Sequence, residues 1–136
     1  RPIWIAGTGW ANDTPTLESR PWGSDRATRT AAKMAFDEAG ISDPDKEIDF
    51  LEIDDLYAYR ELLTLESLGV KDNAAKINTS GGSIGMGHTL DTIGLYRVVM
   101  CAEALRNGGA GTALAHAWRG VPTTSAAVAI LSKNHG

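Results

Sequence analysis

The side chains with most chemical potential are a histidine that closes a glycine-rich run and a few polar groups at the ends of apolar segments. The run reads Gly81-Gly82-Ser83-Ile84-Gly85-Met86-Gly87-His88. Glycines let backbone approach a ligand closely, and free N–H groups near a helix start carry partial positive charge that stabilises a developing oxyanion. A histidine kept neutral at such a helix start suits general-base work. His88 is therefore the first catalytic candidate, and Gly82, Ser83, Gly85, Met86 and Gly87 are the candidate substrate-binding residues. Asp54 and His116, each at the end of an apolar run, complete the catalytic candidates. Each has a plainer alternative. Glycines also serve tight turns, His116 can be a core histidine, and Asp54 and Asp55 can cap a following helix, the preferred reading for Asp55. Cys101 lies mid-helix on an apolar stretch and reads as packing. His135, in the tail, is given no role.

The elements that must position these groups follow from the apolar pattern. The run Pro2 to Ala6 reads as a buried strand broken by Gly7 and Gly9, and Trp10 to Gly23 as a loop. From Ser24 or Asp25 the positions Ala27, Ala31, Met34 and Ala35 share one helical face, with Gly40 as a stop. Ile48 to Ile53 reads as a buried parallel strand, Tyr57 to Leu68 as a helix with Leu62, Leu63, Leu65 and Leu68 in its stripe, and Ala75 to Asn78 as a short strand. A helix over Leu90 to Arg106 turns Leu95, Val98, Val99, Ala102 and Leu105 inward, and strands Thr112 to Ala117 and Ser125 to Leu131 flank a turn with Gly120 and Pro122. The core is expected to include Ile5, Met34, Phe50, Ile53, Leu95 and Val98. Alternating strands and helices give an α/β fold, and ligands in such sheets bind beyond the carboxyl ends of the strands, where Asp54, His88 and His116 would share a crevice.

Composition narrows the function classes. A chain of 136 residues with 43% hydrophobic and 22% charged residues supports one folded domain, residues 1–136. The net charge of -4 has no basic run behind it, so nucleic acid is an unsuitable partner. A single cysteine forms no internal disulfide and no zinc-type spacing occurs, so neither a metal nor an oxidising compartment is expected; a cytoplasmic location fits. No apolar stretch approaches the roughly 18 residues of a membrane span. The absence of an initiator Met points to a fragment.

Several segments together carry a family resemblance: Ile48-Asp49-Phe50-Leu51-Glu52-Ile53-Asp54-Asp55-Leu56-Tyr57, Glu61-Leu62, Leu65-Glu66-Ser67-Leu68-Gly69, and Asn78-Thr79-Ser80-Gly81-Gly82 with Gly87-His88. In this order they resemble the C-terminal half of thiolases, closest in flavour to the archaeal and sterol-carrier-protein-x types with their lipid-transfer-protein-like relatives. The resemblance implies a thiolase-like half-domain with a mixed β-sheet flanked by helices. It implies a partner N-terminal half carrying the nucleophilic cysteine, which the histidine matching His88 activates. It further implies a homodimer or higher oligomer, a coenzyme A thioester as substrate with no permanently bound cofactor, a place in lipid metabolism, and room for an OB-fold partner protein.

The chain also departs from the family's pattern. Thr89, Asp91, Thr92 and Ile93 replace the usual Pro and Gly-Ala-Thr-Gly run. Leu56 stands where some relatives carry an acid/base cysteine, and His116, Ala117, Trp118 and Arg119 stand where many have another cysteine followed by glycines. Three functions remain open at this stage: acyl transfer or carbon–carbon bond chemistry on an acyl-CoA, a retro-aldolase of the steroid side-chain type, or a non-catalytic lipid-binding or scaffold subunit.

Overall fold

Two glycines decide how the first strand meets the first helix. In the computed structural model, which describes residues 2–71, 73, 75–120 and 124–134, strand β1 (Trp4–Asn12) runs through Gly7 and Gly9 instead of ending there. Helix α1 (Arg26–Ala39) lies so close that a Cβ at Gly9 would stand 1.8 Å from the Ala31 carbonyl oxygen, and one at Gly7 2.2 Å from that of Ala35. The glycines are thus strand residues that admit a helix backbone. On the helix side the contact face is Ala27, Thr28, Ala31, Ala32 and Ala35, all buried. Met34 falls beside this face and is 48% exposed, against expectation. Ile5 is 66% exposed for a different reason: the β1 register skips Ala6 between Ile5 and Gly7, and one extra residue turns Ile5 to the opposite face from Gly7.

The chain continues through α2 (Pro44–Glu47), β2 (Phe50–Glu52), α3 (Ala58–Leu68), α4 (Gly82–Met86), α5 (Ile93–Asn107), β3 (Thr112–Arg119) and β4 (Ser125–Ser132). The sheet order is β1-β4-β3-β2, with β2 parallel to β3 and β4 antiparallel to both its neighbours. This is an α/β fold with a mixed sheet flanked by helices. α1 and α3 cover one face over Leu51, Ile53, Leu114, Val128 and Ile130. α5 covers the other over Ala113, Ala115 and Leu131. The strand expected at Ala75 to Asn78 reduces to one parallel bridge, Ile77 to Leu51.

Helix faces depart from the pattern reading. In α5 the residues four apart, Ile93, Arg97, Cys101 and Leu105, are buried, whereas Leu95 is 67% exposed and Val99 lies open too. A helix apolar on nearly every side offers no single stripe, so periodicity alone selects the wrong one. α3 likewise buries Leu65 and Leu68 but turns Leu62 outward and Arg60, Thr64 and Ser67 inward. Ile53 is buried, and Phe50 and Val98 pack partly buried beside the α5 core. Among the described residues no helix is long and apolar enough to cross a membrane. Pro122 and His135 lie outside the described residues.

The glycine contacts are directly testable. Gly9→Ala should destabilise the domain by roughly 1–3 kcal/mol or more through overpacking, read as a lower urea midpoint at unchanged slope, while Gly23→Ala, with nothing within 4 Å of its added Cβ, should leave the midpoint in place.

Candidate functional site

The glycine-rich segment is stitched to the end of β2 by side chains the motif itself supplies. The Asn78 Oδ1 accepts a bond from the Ile53 N–H at 2.8 Å, and the Ser80 hydroxyl donates to Glu52 at 2.8 Å. Burial pushes the Glu52 carboxyl above its ordinary range. Asp55 accepts a bond from the Ser83 N–H at 2.7 Å, so it holds the glycine turn and does not cap α3, whose N-cap Tyr57 makes no side-chain bond. Gly82 has φ +58, and a Cβ there would sit 1.9 Å from the Asp55 carboxylate. Only glycine fits that place.

These bonds correct the expectation of free amides. The Gly82 N–H meets the Ser80 hydroxyl at 3.5 Å, Gly85 N–H bonds the Gly81 carbonyl at 2.8 Å, and Gly87 N–H bonds the Ser83 carbonyl at 3.0 Å. Gly82 and Ser83 are buried, while Gly85, Met86 and Gly87 are exposed. His88 does not stand at the start of α5 either: a 3-10 turn, Leu90–Thr92, intervenes.

Beneath this turn lies a buried ion network that the pattern reading missed. Arg97 donates to Asp54 at 3.1 Å, to the Ser83 hydroxyl at 2.8 Å and to the His116 carbonyl at 2.9 Å. One guanidinium thereby joins the segment just after β2 and the interior of β3, which runs on past His116 to Arg119, to the glycine turn. Arg60 pairs with Asp25 at 3.1 Å, and Asp25 in turn accepts from both the N–H (2.9 Å) and the hydroxyl (2.7 Å) of Thr28. With its single proton given to Asp25, the Thr28 hydroxyl must accept at 3.0 Å from His116 Nε2–H. That assigns the tautomer. His116 Nδ1 has no hydrogen-bond partner among the described residues. The ring is 1% exposed, and burial lowers its pKa to about 4, so it is neutral at ordinary pH.

The predicted site residues therefore divide. Asp54 and His116 are brought together through Arg97 in the buried network, and neither presents an open polar edge. His88 is only partly buried and lines a cavity of about 160 Å³ with Leu56, Leu90, Trp118, Arg119 and Gly120. Arg119 pairs with Asp91 at the rim. Behind Trp118 the Arg60 guanidinium sits 4.4 Å from the ring centroid, a desolvated contact worth about 2 kcal/mol. One signal in the sequence did mark Arg97, which stands four residues from both Ile93 and Cys101 on one helical face, whereas Arg60 has only the polar Thr64 at that spacing within α3. Among the described residues, no group of three or more His, Cys, Asp or Glu is placed to hold a metal.

Comparison with known proteins gives a consistent result. The model of the thiolase C-terminal domain matches residues 21–131. A probable acetyl-CoA acetyltransferase of Mycolicibacterium smegmatis is 31% identical over 116 residues, 82% of this chain and 27% of the relative. A beta-ketoadipyl-CoA thiolase of Pseudomonas putida is 33% identical over 69 residues, 51% of this chain and 17% of the relative. Among solved structures, a monomeric SCP2-thiolase-like protein from Mycobacterium smegmatis superposes with a TM-score of 0.84 at 18% identity, over 98% of this chain and 30% of that one. Human mitochondrial 3-ketoacyl-CoA thiolase gives 0.75 at 25% identity, over 96% and 30%. The chain thus spans less than a third of the length of these proteins.

The buried histidine sets a pH dependence of stability. His116 binds its proton more weakly in the folded state (about 4) than at the unfolded value of 6.5, so stability is full above pH 6.5 and declines as pH falls toward about 4. The slope is at most about 1.4 kcal/mol per pH unit. Burial of Glu52 acts with the opposite sign, so the measurement compares His116→Gln with the parent by urea unfolding: the variant should lose this part of the slope. An unchanged difference between the two across that window would reject the assignment.

Proposed function

We propose a function from one premise: the chain belongs to the thiolase C-terminal domain family. In this reading it is the base-bearing half of an enzyme that acts on acyl-coenzyme A thioesters, by acyl transfer or by making or breaking a carbon–carbon bond. The names of the relatives, acetyltransferase and ketoacyl-CoA thiolase among them, support that substrate class. The observation that carries the reading is the division of the polar groups: His88 lines an open cavity, while His116 and Asp54 are locked in ion pairs and bonds beneath it.

His88 then acts as general base toward a nucleophile contributed by a second, N-terminal half, and the thioester enters as substrate. Asp54 and His116 contribute by position, since Arg97 links both to the turn that precedes His88. The second half covers the open side of α5, where Trp10, Met34, Leu95 and Val98 line an apolar groove of about 510 Å³. Trp10, Met34 and Leu95 are all exposed, and a cluster of exposed apolar side chains is the usual mark of an interface.

A second reading, aldol cleavage, is favoured by one feature. The cavity beside His88 is walled by Leu56 and Trp118, and Cys101 lies buried away from it, donating to the Leu114 carbonyl with its thiol pKa pushed up to about 12 by burial. A base-only reaction needs no thiol here.

In the complete protein, His88→Ala should lower turnover of an acyl-CoA by about 10²- to 10⁴-fold, the usual loss for a general base, with the unfolding midpoint nearly unchanged. Unaltered turnover would sink the assignment and favour a non-catalytic, acyl-binding role. Full activity of the 136-residue chain alone would argue against a second half.

A further inference from the structure

The cavity beside His88 is small, and one side chain accounts for its size. Its volume of about 160 Å³ lies below the roughly 300–1,000 Å³ of ordinary ligand pockets. An engineered hole of about 150 Å³ takes benzene, so the space beside His88 suits an acyl group of only a few carbons. Of the lining residues, Gly120 adds no side chain and Leu90 is largely exposed at the rim. Trp118 is the bulkiest, and it is pinned. The Arg60 guanidinium lies against its ring, and Arg60 itself is fully buried on Asp25, which the Thr28 amide and hydroxyl hold in turn. Arg60 Nε and Nη1 have no hydrogen-bond partner among the described residues, so the indole face is what meets this part of the charge. Swinging the ring away would uncover a buried cation, which keeps the wall in place.

A second cavity, of about 190 Å³, adjoins the first, and Leu90, Trp118 and Arg119 line both. Its further lining combines Trp10, Ile93, Ala117 and Ala127 with Asp91 and Ser125.

We propose that Trp118 is the specificity-determining wall of the site, confining the thioesters that reach His88 to those with short acyl groups. The proposal rests on the acyl-CoA reading above and adds the chain length. Within it, Arg60 and Asp25 are positioning residues that hold the indole from behind.

The test uses the complete protein, two acyl donors, butyryl-CoA and dodecanoyl-CoA, and acetyl-CoA as the common acceptor whose α-carbon takes the acyl group, with release of the donor's coenzyme A thiol as readout. The parent should prefer the short thioester in kcat/KM by at least about tenfold, on the scale by which apolar pockets discriminate size. Trp118→Ala should reduce that preference by about tenfold, chiefly through a gain on dodecanoyl-CoA, and Trp118→Phe, a milder change that protects against misfolding, should retain most of it. Equal preference in parent and Trp118→Ala, with both active, would overturn the wall and leave the role of His88 intact. If the parent turns over neither donor, the acyl-CoA enzyme reading fails, and calorimetric affinities for the same two donors decide the wall: a shift in their ratio on Trp118→Ala supports it, and an unshifted ratio or absent binding overturns it.

Discussion

Two arginine side chains taken out of water govern the rest of this structure. Removing a guanidinium from solvent costs several kcal/mol after relaxation, and the cost is met only where opposite charge and good hydrogen bonds surround it. Arg97 finds Asp54, the Ser83 hydroxyl and the His116 carbonyl within β3, and Arg60 finds Asp25 and an indole face. The partners come from α1, β2, the glycine turn and β3. Segments far apart in the chain are thereby held in one arrangement at the carboxyl ends of the parallel strands, the place where an α/β sheet exposes its ligand crevice.

Small side chains make that arrangement reachable. Because α1 lies against Gly7 and Gly9, its N-cap Asp25 is drawn down over the sheet to where Arg60 and Thr28 meet it. On the other face Gly94 approaches Ala117 closely, its notional Cβ 3.0 Å from the alanine methyl, and alanines line β3 beneath α5. The helix can then seat Arg97 under the glycine turn. Its opposite side, with Leu95 and Val99, is left facing outward as apolar surface.

The chemistry follows from which groups are satisfied and which are open. Asp54, Asp55, Glu52 and His116 are all acceptors or donors within the fold, and their bonds fix the turn on which His88 follows. A neutral imidazole in the network adds no charge to two matched ion pairs, so Asp25 and Asp54 balance Arg60 and Arg97. His88 stands outside this balance, at the wall of a small cavity, its Nδ1 buried and without a hydrogen-bond partner among the described residues. Burial separates the two histidines: His116 is enclosed and bonded to Thr28, and His88 borders the cavity.

Much of this was legible in the sequence. The α1 boundaries at Asp25 and Gly40, the strand pair at the C-terminus, the packing role of Cys101 and the thiolase resemblance came from capping residues, apolar runs and a motif with fixed order, all of which act locally. The tertiary structure alone decided which face of α5 meets the sheet, since a helix apolar on most sides carries no directional stripe, and it turned Ile5 outward through a one-residue bulge invisible in composition. It also decided that His116 and Asp54 are buried, that the glycine amides are internally bonded, and that Asp55 holds Ser83 instead of capping α3. Those outcomes depend on Arg60 and Arg97 meeting partners 35 and 43 positions away, and charge pairing across such distances is set by packing, not by local pattern.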